Sequence, residues 1–183
     1  TGFRIQRALT SGGPFSFLAD VAANQLSYTD GGVNDGTRYY YRIQALGLPA
    51  ASDFSNEASA TTPMSSPTSL TATALDDSRI QLNWNDNSAS EVQYSLQRSL
   101  NPGSGFAALT LLPSNSTSYL DTGLDDGIRY YYRVRAIGSY ANSQYSNVAG
   151  DTTFLLAPTT LAATAIDSVT IDLSWTDNSS SET

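Results

Sequence analysis

Leu124-Asp125-Asp126-Gly127-Ile128-Arg129-Tyr130-Tyr131-Tyr132-Arg133-Val134-Arg135-Ala136 is the stretch whose pattern decides the fold. Tyr130, Tyr132, Val134 and Ala136 take every second position, and Arg129, Tyr131, Arg133 and Arg135 take the positions between them. A period of two belongs to a half-buried β-strand, whereas a helix would space its apolar residues by three and four. Leu70, Ala72, Ala74 and Ile80, Leu82, Trp84 alternate in the same way. Clusters of Gly, Asn, Asp, Ser and Pro separate these runs. The pattern therefore predicts seven short antiparallel strands, at about 69–75, 79–84, 93–99, 106–110, 117–121, 129–137 and 146–153, folded as a β-sandwich.

The same stretch occurs earlier in the chain. Tyr39-Tyr40-Tyr41-Arg42 stands 91 positions before Tyr130-Tyr131-Tyr132-Arg133, and Pro67-Thr68-Ser69-Leu70 stands 91 positions before Pro158-Thr159-Thr160-Leu161. An internal repeat of this length means one supersecondary or domain unit per period. Residues 1–62 read as a partial unit (strands C to G), 63–66 as a linker, 67–153 as a complete unit, 154–157 as a linker and 158–183 as a partial unit (strands A and B). Pro67 and Pro158 open their first strands at fixed φ. Thr1, Val92 and Thr183 share one repeat position. The expectation is either a repeat-sized window on a longer covalent array, the preferred version, or donation of residues 157–183 from one molecule to residues 1–62 of the next.

Composition excludes much chemistry. The chain has no Cys, no His and no Lys, so its nine positive charges are all Arg. Thiolate, imidazole and Schiff-base catalysis, disulfides and zinc sites of Cys or His type are ruled out. A net charge of −8 opposes non-specific binding to nucleic acid. Nucleic acid is not an expected partner. No apolar run has the length of a membrane span, so no membrane insertion is expected in this segment. Only carboxylates and hydroxyls remain as reactive groups, and a filled sandwich offers no cleft for a carboxylate pair, so the chain is not expected to be an enzyme.

The residues resemble the fibronectin type III family, in the tandem form of bacterial extracellular proteins. The resemblance rests on Pro67-x-x-Leu70, on Ile80-x-Leu82-x-Trp84, and on Leu124-x-x-Gly127-x-x-Tyr130-x-Tyr132-x-Val134-x-Ala136. Val33-x-x-Gly36-x-x-Tyr39-x-Tyr41-x-Ile43-x-Ala45 and Ile171-x-Leu173-x-Trp175 repeat these pieces. It implies an all-β fold of tandem immunoglobulin-like, seven-stranded sandwiches. It also implies that Tyr39 and Tyr130 are corner tyrosines whose hydroxyls bond the backbone just upstream. Trp84, Trp175, Tyr39, Tyr130 and Leu124 form the core signature.

Three surface features carry functional readings. The outward face of the sixth strand, with Arg38, Tyr40, Arg42, Arg129, Tyr131, Arg133 and Arg135, is a candidate interaction face, since arginine beside tyrosine can stack on a sugar or grip a carboxylate. The loops Trp84-Asn85-Asp86-Asn87-Ser88 and Trp175-Thr176-Asp177-Asn178-Ser179, with Glu91 and Glu182, offer oxygen ligands of the kind calcium takes. They lack the spacing of a calcium loop and suit self-capping turns instead, so no cofactor is expected and calcium is the weak alternative. The acidic turn Asp121, Asp125, Asp126, matched by Asp30 and Asp35, reads as solvated. The expected function is a structural repeat protein of an extracellular or cell-surface stalk, fibre or filament. Its partners would be neighbouring copies or adjacent repeats. The alternative is a spacer or carbohydrate-binding accessory module of a secreted polysaccharide-active enzyme or adhesin.

Overall fold

The computed structural model describes residues 1–182; Thr183, the last position of the expected partial unit 158–183, lies outside the described residues. Every regular element among the described residues is a strand. Among the described residues, no helix is long and apolar enough to cross a membrane. The chain forms two compact units. Unit 1 comprises Thr1–Ser66, Asn87–Gln93 and Ala136–Gln144, and unit 2 comprises Pro67–Asp86, Tyr94–Arg135 and the described residues from Tyr145 onward.

In unit 1, β1 (Gly2–Ala8), β2 (Ser16–Ala22), β3 (Arg38–Leu46) and β4 (Ala58–Thr61) form one sheet in the order β2-β1-β3-β4. The pairs are antiparallel, with Ile5 opposite both Ala19 and Ile43. Alternation sends Phe3, Ile5, Tyr41 and Ile43 to one face, where with Val21, Leu26 and Val33 they line an open apolar groove of about 650 Å³.

Unit 2 draws on β5 (Thr68–Ala74), β6 (Arg79–Asn85) and β9 (Ser118–Thr122), in the order β5-β6-β9. A second sheet has the order β11-β10-β7-β8, from β7 (Glu91–Ser99), β8 (Ala107–Pro113), β10 (Arg129–Gly138) and β11 (Ala149–Thr152). Ile80 and Leu82 of β6 are buried completely, as are Tyr94, Leu96, Tyr132 and Val134. Trp84 packs its ring 6.0 Å from that of Tyr94, tilted by 57°. β12 (Thr159–Ala165) and β13 (Ile171–Thr176) make a separate hairpin. Its residues match β5 and β6 in kind but differ in burial: Trp84 is 4% exposed and Trp175 59%, Leu82 0% and Leu173 54%.

The six strands expected at about 69–137 all form, with ends shifted by at most three residues, the largest shift carrying the fourth strand on to Pro113. The seventh, expected from 146, begins only at Ala149. Residues 143–146 run beside β10 with half of a ladder: the Ser143 and Ser146 N–H groups donate to the Ala136 and Val134 carbonyls at 3.0 and 2.8 Å, while serine hydroxyls take the strand's own donors. Ser143 Oγ accepts from Ala136 N–H at 2.9 Å and Ser146 Oγ from Val134 N–H at 3.2 Å. β5 carries a bulge between Thr68 and Thr71, with Ser69 at φ 56, and β12 repeats it with Thr160 at φ 53.

Leu82→Ala should cost about 2–5 kcal/mol, because it opens a cavity in a closed core. Leu173→Ala, at the matching place on the bare hairpin, should leave the urea midpoint of the dilute, unassociated chain unchanged.

Candidate interaction face

The aromatic and arginine residues of β3 and β10 fall on the face that the period of two assigns them. Tyr39 and Tyr130 point inward and are buried. Their hydroxyls accept the N–H of Asn34 at 2.9 Å and of Asp125 at 3.1 Å, which ties the turn before each strand to the strand itself. Leu124 and Trp84 are buried and Trp175 is exposed.

On the outward face the arginines are already occupied by rings of their own unit. Arg42 lies between Phe15 and Phe54, 4.2 and 3.8 Å from the ring centres, and its Nε donates to Gln6 at 2.8 Å. Arg133 repeats the arrangement between Phe106 and Tyr145, at 4.3 and 3.9 Å, and donates to Gln97 at 2.8 Å. Arg135 also lies against Tyr145, 4.9 Å from its centre. Arg38 and Arg129 each lean on the next tyrosine outward, Tyr40 and Tyr131, at 5.5 Å. The face is a ladder of alternating cations and rings. Stacking of this kind contributes roughly 0.5–2 kcal/mol per pair, depending on desolvation. Phe15, Phe54, Phe106 and Tyr145, with Gln6 and Gln97, complete the face but escape a reading confined to one strand. Their signal is present in the repeat, since aromatics stand at both copies of each position and the glutamine is identical.

The acidic turn corrects the sequence expectation. Asp121 is not solvated: it is 2% exposed, because alternation along β9 turns it inward. Arg98 Nη1 donates to it at 2.9 Å and the Tyr132 hydroxyl at 2.9 Å. In unit 1, Arg7 Nη1 at 2.8 Å and the Tyr41 hydroxyl at 3.0 Å donate to Asp30 in the same way. Burial acts to raise the Asp30 carboxyl, but Arg7, the Gly32 N–H and Tyr41 outweigh it and hold it below the usual range. Burial first, and then the bond to Asp30, pushes Tyr41 up to about 12. Burial also raises Tyr132, helped by the negative charge of Asp121.

The Asn- and Asp-rich loops bond partly within themselves and partly to the linker and the acidic turn before them. The Tyr94 hydroxyl donates to Asp86, Ser90 N–H donates to Ser88 Oγ at 3.2 Å, and Ser179 N–H donates to Asp177 at 3.2 Å. Among the described residues, no three of His, Cys, Asp and Glu come together in a way that could hold a metal ion.

No family model matches the chain. A "Tyrosine-protein phosphatase Lar-like" protein of Caenorhabditis elegans is 27% identical over 165 residues, which cover 85% of this chain and 7% of that protein. The chain thus spans only a small part of that relative's length. Among solved structures, a two fibronectin type-III domain segment of chicken tenascin superposes with a TM-score of 0.72 at 14% identity, covering 84% of this chain and 85% of that one. A Fn3-like protein from Clostridium thermocellum is 27% identical, with a TM-score of 0.45 over 51% of this chain and 97% of that one. The fold is that of tandem fibronectin type III sandwiches.

Arg98→Ala should cost about 3–5 kcal/mol by stranding a buried carboxylate, and Arg133→Ala about 1–2 kcal/mol by emptying the slot between two rings, both read by urea denaturation. The Asp30 carboxyl lies lower in the fold than in the unfolded chain, where it sits at about 3.9. Its contribution is therefore complete above that value and should fade as pH falls through the folded-state value. Tyr41 works in the opposite sense: its contribution is complete below about pH 10 and should be lost as pH rises towards about 12. Tyr41→Phe should abolish that alkaline loss in a pH series of denaturation midpoints.

Proposed function

We propose that this chain is part of a structural repeat protein of the bacterial extracellular type, whose sandwiches join in series to build a stalk, fibre or filament. Its partners are adjacent repeats or neighbouring copies of itself, and it has no catalytic role. The observation that carries this reading is a pair of unmatched apolar surfaces. The groove of unit 1 is lined by Phe3, Ile5, Val33, Tyr41 and Ile43. Their repeat counterparts Tyr94, Leu96, Leu124, Tyr132 and Val134 are buried in unit 2 alongside Leu70, Ile80, Leu82 and Trp84. The hairpin β12-β13 presents the counterparts of those last four, Leu161, Ile171, Leu173 and Trp175, all more than half exposed. The groove thus suits a hairpin of this kind, whether from a neighbouring repeat of a longer chain or from a second copy. Burying each such side chain contributes about 1.5–3 kcal/mol, enough in sum to join units firmly.

A sugar-binding accessory role draws less support. Arg42 and Arg133, the residues best suited to grip a ligand, are already sandwiched by rings of their own unit. An acidic chain without Lys or Cys suits exposure outside the cell.

Light scattering after size exclusion should find the 183-residue chain associating as its concentration rises through the micromolar range. Leu173→Ser with Trp175→Ser should return it to the monomer without unfolding unit 2. A monomer at every concentration would count against the joining of copies through this hairpin. Arg133→Ala should leave association unchanged.

A further inference from the structure

We propose that the Asp-Gly turn before the sixth strand of each repeat, Asp35-Gly36 and again Asp126-Gly127, is a docking site whose occupant is the next repeat of the same chain. It clasps both the linker and the loop after the second strand of that following repeat. The inference goes beyond the fibre reading and does not depend on it, since a spacer would need the same joint.

The first joint lies wholly within unit 1. The linker residue Ser65 donates its N–H to Asp35 Oδ2 at 2.9 Å, and Ala89 in the following loop donates its N–H to Oδ1 at 3.4 Å. The Ser88 hydroxyl bonds the same carboxylate. Gly36 N–H donates to the carbonyl of Pro63 at 3.1 Å, so the turn and the linker are tied in both directions. Thr37 and Ser90 hydroxyls meet at 3.3 Å, and Asn87 Nδ2 donates to the Ser66 carbonyl at 2.8 Å. Met64 is buried between two glycines: a Cβ on Gly36 would fall 2.5 Å from its Cε, and one on Gly138 would fall 2.2 Å from it.

The second joint lies wholly within unit 2 and repeats this set at matching positions. Leu156 N–H donates to Asp126 Oδ2 at 3.4 Å, and the Ser179 hydroxyl donates to the same oxygen. Gly127 N–H donates to the Phe154 carbonyl at 3.2 Å, and Asn178 Nδ2 to the Ala157 carbonyl at 2.7 Å. The Ser181 hydroxyl donates to the Asp126 carbonyl at 2.7 Å. A Cβ on Gly127 would lie 2.6 Å from Leu155 Cδ2 and 2.7 Å from Ser181 Cβ.

Two separate demands meet in the dipeptide. The aspartate must accept from donors on two segments, the linker and the loop of the next repeat, and it does so while partly desolvated. Burial works against its charge, but the Ser65 N–H, the Ser88 hydroxyl and the Ala89 N–H more than compensate and hold Asp35 below the usual carboxylate range. The glycine stands at φ 57 in one copy and 64 in the other, and it must also leave room for a linker side chain. Gly123 isolates the first of these glycine demands from the second, because it has φ 71 but nothing within 4 Å of an added Cβ.

The test reads the joint and not assembly, so its failure and that of the fibre reading are distinguishable. Ser16→Cys with Ser118→Cys places spin labels in a chain with no native cysteine. Pulsed dipolar spectroscopy on this parent, diluted into excess unlabelled chain so that only distances within one molecule are read, should give one narrow distance distribution. Asp35→Ala in that background should broaden it at least twofold and speed amide exchange at Ser65 and Ala89 by tenfold or more, while exchange at Asn34, held by Tyr39, stays slow. At the second joint, Gly127→Ala should speed exchange at Leu156 beyond any effect of Gly123→Ala, which carries the backbone strain alone. An unchanged width with unchanged exchange at Ser65 and Ala89 in Asp35→Ala would overturn the proposal. Equal effects of Gly127→Ala and Gly123→Ala would also overturn it.

Discussion

The period of two along β3 and β10 is the constraint on which the remaining structure depends. A strand has two faces and no third choice, so a slip of one residue exchanges every side chain between them. In β10 the inward set, Tyr130, Tyr132 and Val134, fills the core. The outward set, Arg129, Tyr131, Arg133 and Arg135, forms the ladder of cations and rings. A shifted register would place guanidinium groups in the core and leave tyrosines in water, and the cost of burying unpaired charge forbids it. The corner bonds of Tyr39 and Tyr130 fix where this register starts.

Fold class, strand order along the chain and the burial of Tyr39, Trp84 and Tyr130 were legible because they rest on local alternation and on punctuation by turn residues, whereas Trp175, expected in the core, is exposed because no second sheet covers its hairpin. The acidic turns were not. Asp121 was read as solvated since a carboxylate in a Gly-rich turn is usually wet. Only the third dimension brings Arg98 and Tyr132 to it. Such a partner is 23 residues away in one case and 11 in the other, at no spacing that a strand or turn prescribes. Asp35 and Asp126 share that reading for a related reason, since their donors lie in the linker and in the loop beyond it.

Comparing the two copies would have recovered part of what single-strand reasoning lost. The pairs Arg7 and Asp30, Arg98 and Asp121 stand at matching positions, as do the aromatic neighbours of Arg42 and Arg133. Diverged copies that retain a charged pair inside a sandwich point to a physical partnership. A buried carboxylate tolerates the loss of its arginine poorly, so the two positions are constrained together.

Serine hydroxyls replace ladder partners along one margin of the larger sheet, where Ser143 and Ser146 take the N–H groups of Ala136 and Val134. Ser52 and Ser55 do the same for Ala45 and Ile43. A chain of duplicated sandwiches holds each domain at high effective concentration beside sequences able to pair with it, which is the setting in which neighbouring domains swap strands or aggregate. A regular free margin would offer the next domain a template. Here the donors are satisfied by side chains at an irregular segment, so a foreign strand finds no continuous row to extend. The serines thus act as guards against cross-pairing between repeats, a protection that grows in value with every unit added to the series.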